Sequence, residues 1–365
     1  MKLRREIKIH KSIFSTVFSS TTNSYKYYWW YAILQLIKEN GTDRISFIDI
    51  SFKMLSLVWY PINYYKISLG KQDQLTKYIL KIKSEFNLED DISENDLILL
   101  LNKNKDKKIM RNILSNMMRY VPYRFIRPWI KESIALPDGE VNDMIIKLHK
   151  DNNTVYYINK KNDGIYFTEE WFSFLKNNFK IIEDFTLYNL MKYVEKNNSE
   201  VSNVSVRLWK PKLRKLTLPT KLWKSYISEN QVSAIRKISK SVFTNSKFND
   251  FNNFSIDHYL PWSYITHDKL WNLHPIEKSM NSSKSNNLPN NKYLEDFCLL
   301  QYDFVQFLGE NYKKELVDYN LLFQANNQTV LDIPINIFVN ELKGKFESHI
   351  QIAINMGFNN NWGIK

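Results

Sequence analysis

The sequence predicts an α+β protein: mostly helical in its N-terminal region, a small α/β region in the middle, and a strand–strand–helix unit towards the C-terminus. Three observations carry this. Glycine is scarce, at 8 residues, while aromatic residues make up 15% of the chain, a balance that suits packed helices better than a glycine-rich sandwich. One good hairpin turn, Asn162-Asp163-Gly164, separates two β-prone runs. Residues 254–284 pass from two short strand-like runs into a polar helical one.

Taken in order, the polar run 19–24 can supply an N-cap for a helix that opens with Tyr25-Lys26-Tyr27-Tyr28-Trp29-Trp30-Tyr31 and continues to Lys38. Its apolar character is nearly all-round, which marks a core helix rather than an aromatic platform for bases. The apolar stretch 52–62 is too short to span a bilayer and contains Lys53 and Pro61. Residues 87–96 are acidic and 103–111 basic, the pattern of solvated faces and a connecting loop. Residues 117–130, with Pro122 and Pro128, read as an ordered connector. Strand-like runs follow at 154–158 and 165–168, then helices at 169–177 and 182–196, the second with Leu187, Leu190, Met191 and Val194 on one stripe. Near the C-terminus, 293–308 reads as a helix packed behind the strand–strand–helix unit, and 331–357 as a small helical closure. The expected domains are 1–200, helix-rich and including the hairpin near 150–170; 201–310, carrying the strand–strand–helix unit; and a helical extension, 311–365.

Composition bounds the function. A chain of 365 residues with a formal net charge of +13 suits a polyanionic partner, although charge can also serve solubility alone. Cys298 is the single cysteine, which excludes disulfide frameworks within one chain and cysteine-ligated zinc sites. No run approaches the ~18 apolar residues of a membrane helix, and the charged start lacks an apolar signal core; a cytoplasmic protein without membrane attachment is expected. Residues 207–224 hold Arg207, Lys210, Lys212, Arg214, Lys215, Lys221 and Lys224 with no acid, interleaved with Trp209 and Trp223. Of these, Lys210, Lys212, Arg214 and Lys215 are the expected contacts to nucleic-acid phosphates; a solvated face anchored by the tryptophans is the plain alternative.

The stretch that carries chemistry runs Phe254-Ser-Ile-Asp257-His258-Tyr-Leu-Pro261, then Leu270-Trp-Asn272-Leu273, then Asn281-Ser-Ser-Lys284 with Leu288-Pro289 closing it. The expected local structure is a strand 254–258, a loop, a second strand 270–275, and a helix from about Lys278 that ends at Ser285-Asn286-Asn287. Hydrolysis of a phosphodiester needs an activated water, a cation on the scissile phosphate and stabilisation of the leaving oxygen. His258 suits the general base, Asp257 and the Asn281 side-chain carbonyl are hard oxygen ligands, and Lys284 is placed to contact phosphate.

This segment resembles the HNH (ββα-metal) endonucleases, in particular the HNH modules of RNA-guided CRISPR nucleases and of bacterial restriction and anti-phage nucleases. The likeness rests on the Asp257-His258 pair, Asn272 fourteen residues on, Asn281 nine further, and Lys284-Ser285 before the closing Leu-Pro. It implies a metal-dependent DNA nuclease with His258 and Asn272 catalytic, Asn272 orienting the histidine ring, and Asp257 and Asn281 holding one Mg²⁺ or Mn²⁺ ion per active site. Asparagine at position 281, where many members have histidine, favours those hard cations over zinc. Trp262, Trp271 and Phe297 are expected to brace a module that lacks structural-zinc cysteines. Products would carry 5′-phosphate and 3′-hydroxyl ends.

DNA is the implied partner, with other defence-system subunits or a second copy as further ones, since one such centre cuts one strand. A catalytically idle nucleic-acid-binding or regulatory subunit is the alternative, against which the intact Asp257, His258, Asn272 and Asn281 stand. A membrane-surface role lacks the lysine-rich amphipathic helix it would need. His267 and His274 fall outside the pattern and read as surface or supporting residues, with His274 at most brushing the substrate; Glu277 reads as a solvated helix start.

Overall fold

The computed structural model describes residues 12–19, 21–133, 136–211, 214, 216–232, 240–248, 253–325 and 329–364. The chain divides into two compact units, Met1–Lys210 and Pro211–Lys365, and no helix among the described residues is long and apolar enough to cross a membrane.

The N-terminal unit is built around α1 (Tyr25–Asn40). Trp29 and Trp30 are fully buried, Trp30 stacked on Phe125 at 4.9 Å and Trp29 donating to the Tyr156 hydroxyl at 3.0 Å. The aromatic run is therefore core. Gly41, at φ 62°, ends the helix in a left-handed cap that glycine adopts without strain. After β1 (Arg44–Ser46) comes α2 (Phe47–Trp59), whose apolar stretch is buried and runs on into a π-helical turn, Tyr60–Tyr64. Lys53 sits within it, 5% exposed, and is balanced by Glu39 at 2.6 Å and Glu94 at 2.8 Å. Helices α3 (Gln74–Phe86), α4 (Glu94–Lys103), α5 (Lys108–Met118) and α6 (Val121–Ile126) follow. Residues 117–130 are thus largely helical rather than a connector: Pro122 lies in the first turn of α6, where its missing N–H costs nothing, and a 3₁₀ turn, Arg127–Trp129, completes the segment.

Beyond α7 (Asp138–Leu148), β2 (Tyr157–Ile158) and β3 (Gly164–Tyr166) form the expected hairpin. Both strands pair in one antiparallel sheet of order β1-β3-β2. The hairpin strands are shorter than the composition suggested, and the partner β1 carried no strand signal at three residues. Helices α8 (Glu169–Asn177) and α9 (Phe179–Lys196) close the unit.

In the C-terminal unit α10 (Thr217–Val232) leads to β4 (Phe254–His258), a short helix α11 (Trp262–Ile265), a 3₁₀ turn (Leu270–Asn272), β5 (Leu273–Glu277) and α12 (Lys278–Lys284). The second strand lies further on than 270–275, because 270–272 close a turn before the ladder starts. Then come α13 (Leu294–Asn311), α14 (Val317–Leu322) and α15 (Ile335–Asn355), a full-length helix packed on α13 rather than a minor closure. The apolar core behind the strands includes Phe297, Cys298, Phe304 and Phe346, with Trp223 of α10 stacked on Phe304 at 3.7 Å.

Candidate active site

Strands β4 and β5 pair antiparallel, Asp257 opposite His274 and His258 opposite Leu273. Side chains alternate along β4: Phe254, Ile256 and His258 are buried, while Ser255 and Asp257 are half-buried on the other face. Helix α12 packs on both strands and addresses that second face with residues one turn apart. Asn281 donates through Nδ2 to the Ser255 hydroxyl at 3.0 Å, and Lys284 donates to Asp257 Oδ2 at 2.9 Å. Asn281 and Asp257 are thereby held on one face.

Lys284 is placed otherwise than expected. It is completely buried, and Nζ also donates to the His258 carbonyl at 2.7 Å. It ties the end of β4 to α12 and does not reach out to a phosphate. Burial pushes the Asp257 carboxyl up, but the charge and hydrogen bond of Lys284 outweigh it, so the group sits below the usual carboxylate range and is ionised.

Asn272 is also placed otherwise. Fully buried, its Oδ1 accepts from the Leu260 N–H at 2.9 Å and its Nδ2 donates to the Leu260 carbonyl at 3.0 Å. Both ends of the amide are spent on the backbone two residues beyond His258, so Asn272 orders the turn after the histidine and not the ring. Gln301 of α13 donates to the Leu273 carbonyl at 2.8 Å and accepts from the Tyr319 hydroxyl, fixing β5 from behind.

The ring of His258, 1% exposed, is held by two residues without a place in the sequence pattern. Asp268 Oδ1 lies 2.8 Å from Nε2, and Arg214 Nη1 lies 3.3 Å from Nδ1. Arginine can only donate, so Nδ1 is the acceptor and Nε2 carries the proton shared with Asp268. Burial holds His258 below its usual pKa, with the Asp268 hydrogen bond opposing in part, so the ring is neutral near pH 7. The Asp268 loop is anchored in turn: Lys269 pairs with Asp318 of α14 at 2.6 Å. The Arg214 guanidinium lies 5.3 Å from the centre of the Trp262 ring. An acid in the loop returning to the histidine was the only sequence hint of Asp268; Arg214 stood out only as one cation in a basic run.

Lys210 is exposed at the end of the N-terminal unit, Arg214 belongs to the C-terminal unit, and Lys212 and Lys215 lie outside the described residues. Arg207 is buried, donating to the Ser202 carbonyl at 3.0 Å. His274 is fully buried, with Nδ1 3.1 Å from the Pro275 carbonyl, and cannot brush a substrate. Glu277 is no solvated helix start: it accepts from Ser241 at 2.8 Å and from Thr244 and Ser246, anchoring the turn before β4. Of the bracing aromatics, Phe297 stacks on Tyr259 at 4.2 Å and Trp271 meets Phe346 edge-on.

The residues present suit a hard divalent cation. Asp257 keeps Oδ1 beyond its contact to Lys284, and Asn281 keeps its side-chain carbonyl. Among the described residues no group of three or more His, Cys, Asp or Glu side chains could hold a metal.

Residues 241–290 match the family model described as HNH endonuclease. This segment is an HNH module. The match takes in β4, β5 and α12 with Asp257, His258, Asp268, Asn272, Asn281 and Lys284, whereas Arg214 precedes it. No curated protein and no solved structure matches the chain.

Proposed function

We propose that the protein is an endonuclease that hydrolyses DNA phosphodiester bonds with one Mg²⁺ or Mn²⁺ ion held by Asp257 and Asn281, and with His258 as general base. The observation that carries this reading is the state of His258 inside the HNH module: buried, neutral, and with its proton placed on the nitrogen facing Asp268. A base needs its free lone pair aimed at one place, and here that lone pair is on Nδ1.

In this reading Nδ1 takes a proton from the attacking water, and Asp268 stabilises the imidazolium that forms. Arg214 now occupies the Nδ1 position; on DNA binding it yields that position to the nucleophile and donates to a phosphate oxygen. The cation, when bound, supplies Lewis-acid stabilisation of charge on the phosphate and the leaving oxygen. Lys284 keeps Asp257 ionised, and Asn272 holds the turn that follows the base. Exposed Lys210, Lys221 and Lys224, with Lys212 and Lys215, are proposed phosphate contacts outside the reacting centre.

The setting we propose is bacterial restriction or anti-phage defence in the cytoplasm, on the likeness of the HNH segment to such nucleases. Because one centre cuts one strand, double-strand cleavage calls for a second copy or a second event. The test is conversion of supercoiled plasmid by the full-length protein with Mg²⁺, Mn²⁺ or EDTA. Nicking that needs the metal and falls by about 10²–10⁴ in His258→Ala is expected; equal cleavage by the two proteins would sink the assignment.

A further inference from the structure

The N-terminal unit contains a concave cavity of about 850 Å³, walled by the start of α1, the start of α3, the end of α5, and α6 with the 3₁₀ turn after it. That volume is within the range of pockets that enclose drug-sized molecules, roughly 300–1,000 Å³, and far exceeds the needs of one bound water or a single small ion. Four cations line it, Lys26, Arg119, Arg124 and Arg127. Asp138 is the one acid among the described lining residues, and it is already paired with Arg124 at 3.0 Å.

Gathering like charges in a partly enclosed space costs free energy unless an anion shares it. The cost is visible at Lys26, which burial, then the charges of Arg127 and Arg124, hold below the usual lysine pKa. The cations come from different elements: Lys26 from the first turn of α1, Arg119 from just beyond α5, Arg124 from α6 and Arg127 from the following turn. Three of them are held in place. Lys26 Nζ lies 3.4 Å from the Val17 carbonyl, Arg124 donates to Asn142 and to the Asp138 carbonyl, and Arg127 donates to the Ser133 carbonyl at 2.8 Å. A net-positive wall of fixed geometry suits several phosphate oxygens better than a single carboxylate.

The same cavity carries aromatic surface. Tyr25, Tyr78 and Tyr120 line it, and the Arg119 guanidinium lies over the Tyr120 ring at 5.0 Å. We infer that this cavity is a binding site for a nucleotide carrying several phosphates, with the cations taking the phosphates and the tyrosines the base. Stacking on tyrosine favours a planar base over a bare polyphosphate. The site is independent of the nuclease reading.

The experiment is calorimetric titration of the full-length protein with ATP, and separately with tripolyphosphate, in EDTA so that no divalent cation takes part. ATP should bind, and Arg119→Ser and Lys26→Met should each weaken it by about tenfold or more. Arg119 is exposed, so that variant tests the site without disturbing the core, and circular dichroism checks the fold of the Lys26 variant. Tyr78→Ala should weaken ATP while leaving tripolyphosphate unchanged. Absence of ATP binding at about 1 mM, or ATP affinity indifferent to both cation variants, would overturn the site. Tripolyphosphate binding as tightly as ATP would overturn the nucleotide assignment.

Discussion

At His258 the proposed chemistry depends on a proton shared with Asp268 and a lone pair facing Arg214. Asp268→Ala leaves Arg214 donating to Nδ1 but removes the carboxylate that receives the Nε2 proton and would stabilise the imidazolium. Supporting residues of this kind typically cost 10–100-fold when lost, so kcat should fall by about that factor while DNA affinity is retained. By NMR titration the His258 ring should titrate lower in the variant than in the parent, because the Asp268 hydrogen bond opposes the effect of burial; an unchanged titration with full activity would contradict the role given to Asp268. Lys284 poses a different problem. It is a buried cation whose loss strands Asp257, and breaking such a pair from one side costs about 3–5 kcal/mol. Lys284→Met should lower stability by that order in urea titrations, and a variant as stable as the parent would show the pair to be dispensable.

At the scale of elements, α12 stops because Ser285 takes φ 45°, ψ −123°, a region that strains any residue but glycine. Ser285→Gly should raise the melting temperature, by roughly 0.5–1 kcal/mol of stability, and a lower melting temperature would mean that the serine side chain contributes something the backbone does not reveal. This ending was legible beforehand in the polar Ser285-Asn286-Asn287 run, as were the strand at 254–258, the helix from Lys278, and the core helix of aromatics. These are strong local patterns. What could not be read is set by tertiary partners. β1 is three residues long and exists because β3 offers it an edge. Residues 270–272 look strand-like, yet Asn272 is drawn into a turn by the Leu260 backbone. Lys284 and Asn272 were found by spacing, but spacing does not say whether a side chain faces a substrate or its own backbone. Asp268 reaches His258 through a loop whose path depends on Asp318, far along the chain.

Across the whole molecule, all five histidines among the described residues, His149, His258, His267, His274 and His349, are held below the ordinary value by burial, His267 and His274 down to about 4. The folded chain therefore refuses protons that the unfolded chain accepts from about pH 6.5 downward. Stability should be complete above that value and decline steadily as pH falls towards 4. Urea midpoints at pH 7.5, 6 and 5 check the sign; a midpoint constant over that series would mean that these rings are protonated in the fold. Acid weakening is thus expected before the paired carboxylates Asp257 and Asp268, which titrate lower, are touched.

Cys298, the one thiol in the chain, lies in the core of the unit that holds the HNH module, its ionisation pushed up to about 12 by burial. Thiolate is the reactive form, so the folded protein carries a silent label site that turns on only when the C-terminal unit opens. A thiol reagent would add one adduct per chain, and the rate of that addition, with and without DNA, is a clock for how often the C-terminal unit breathes.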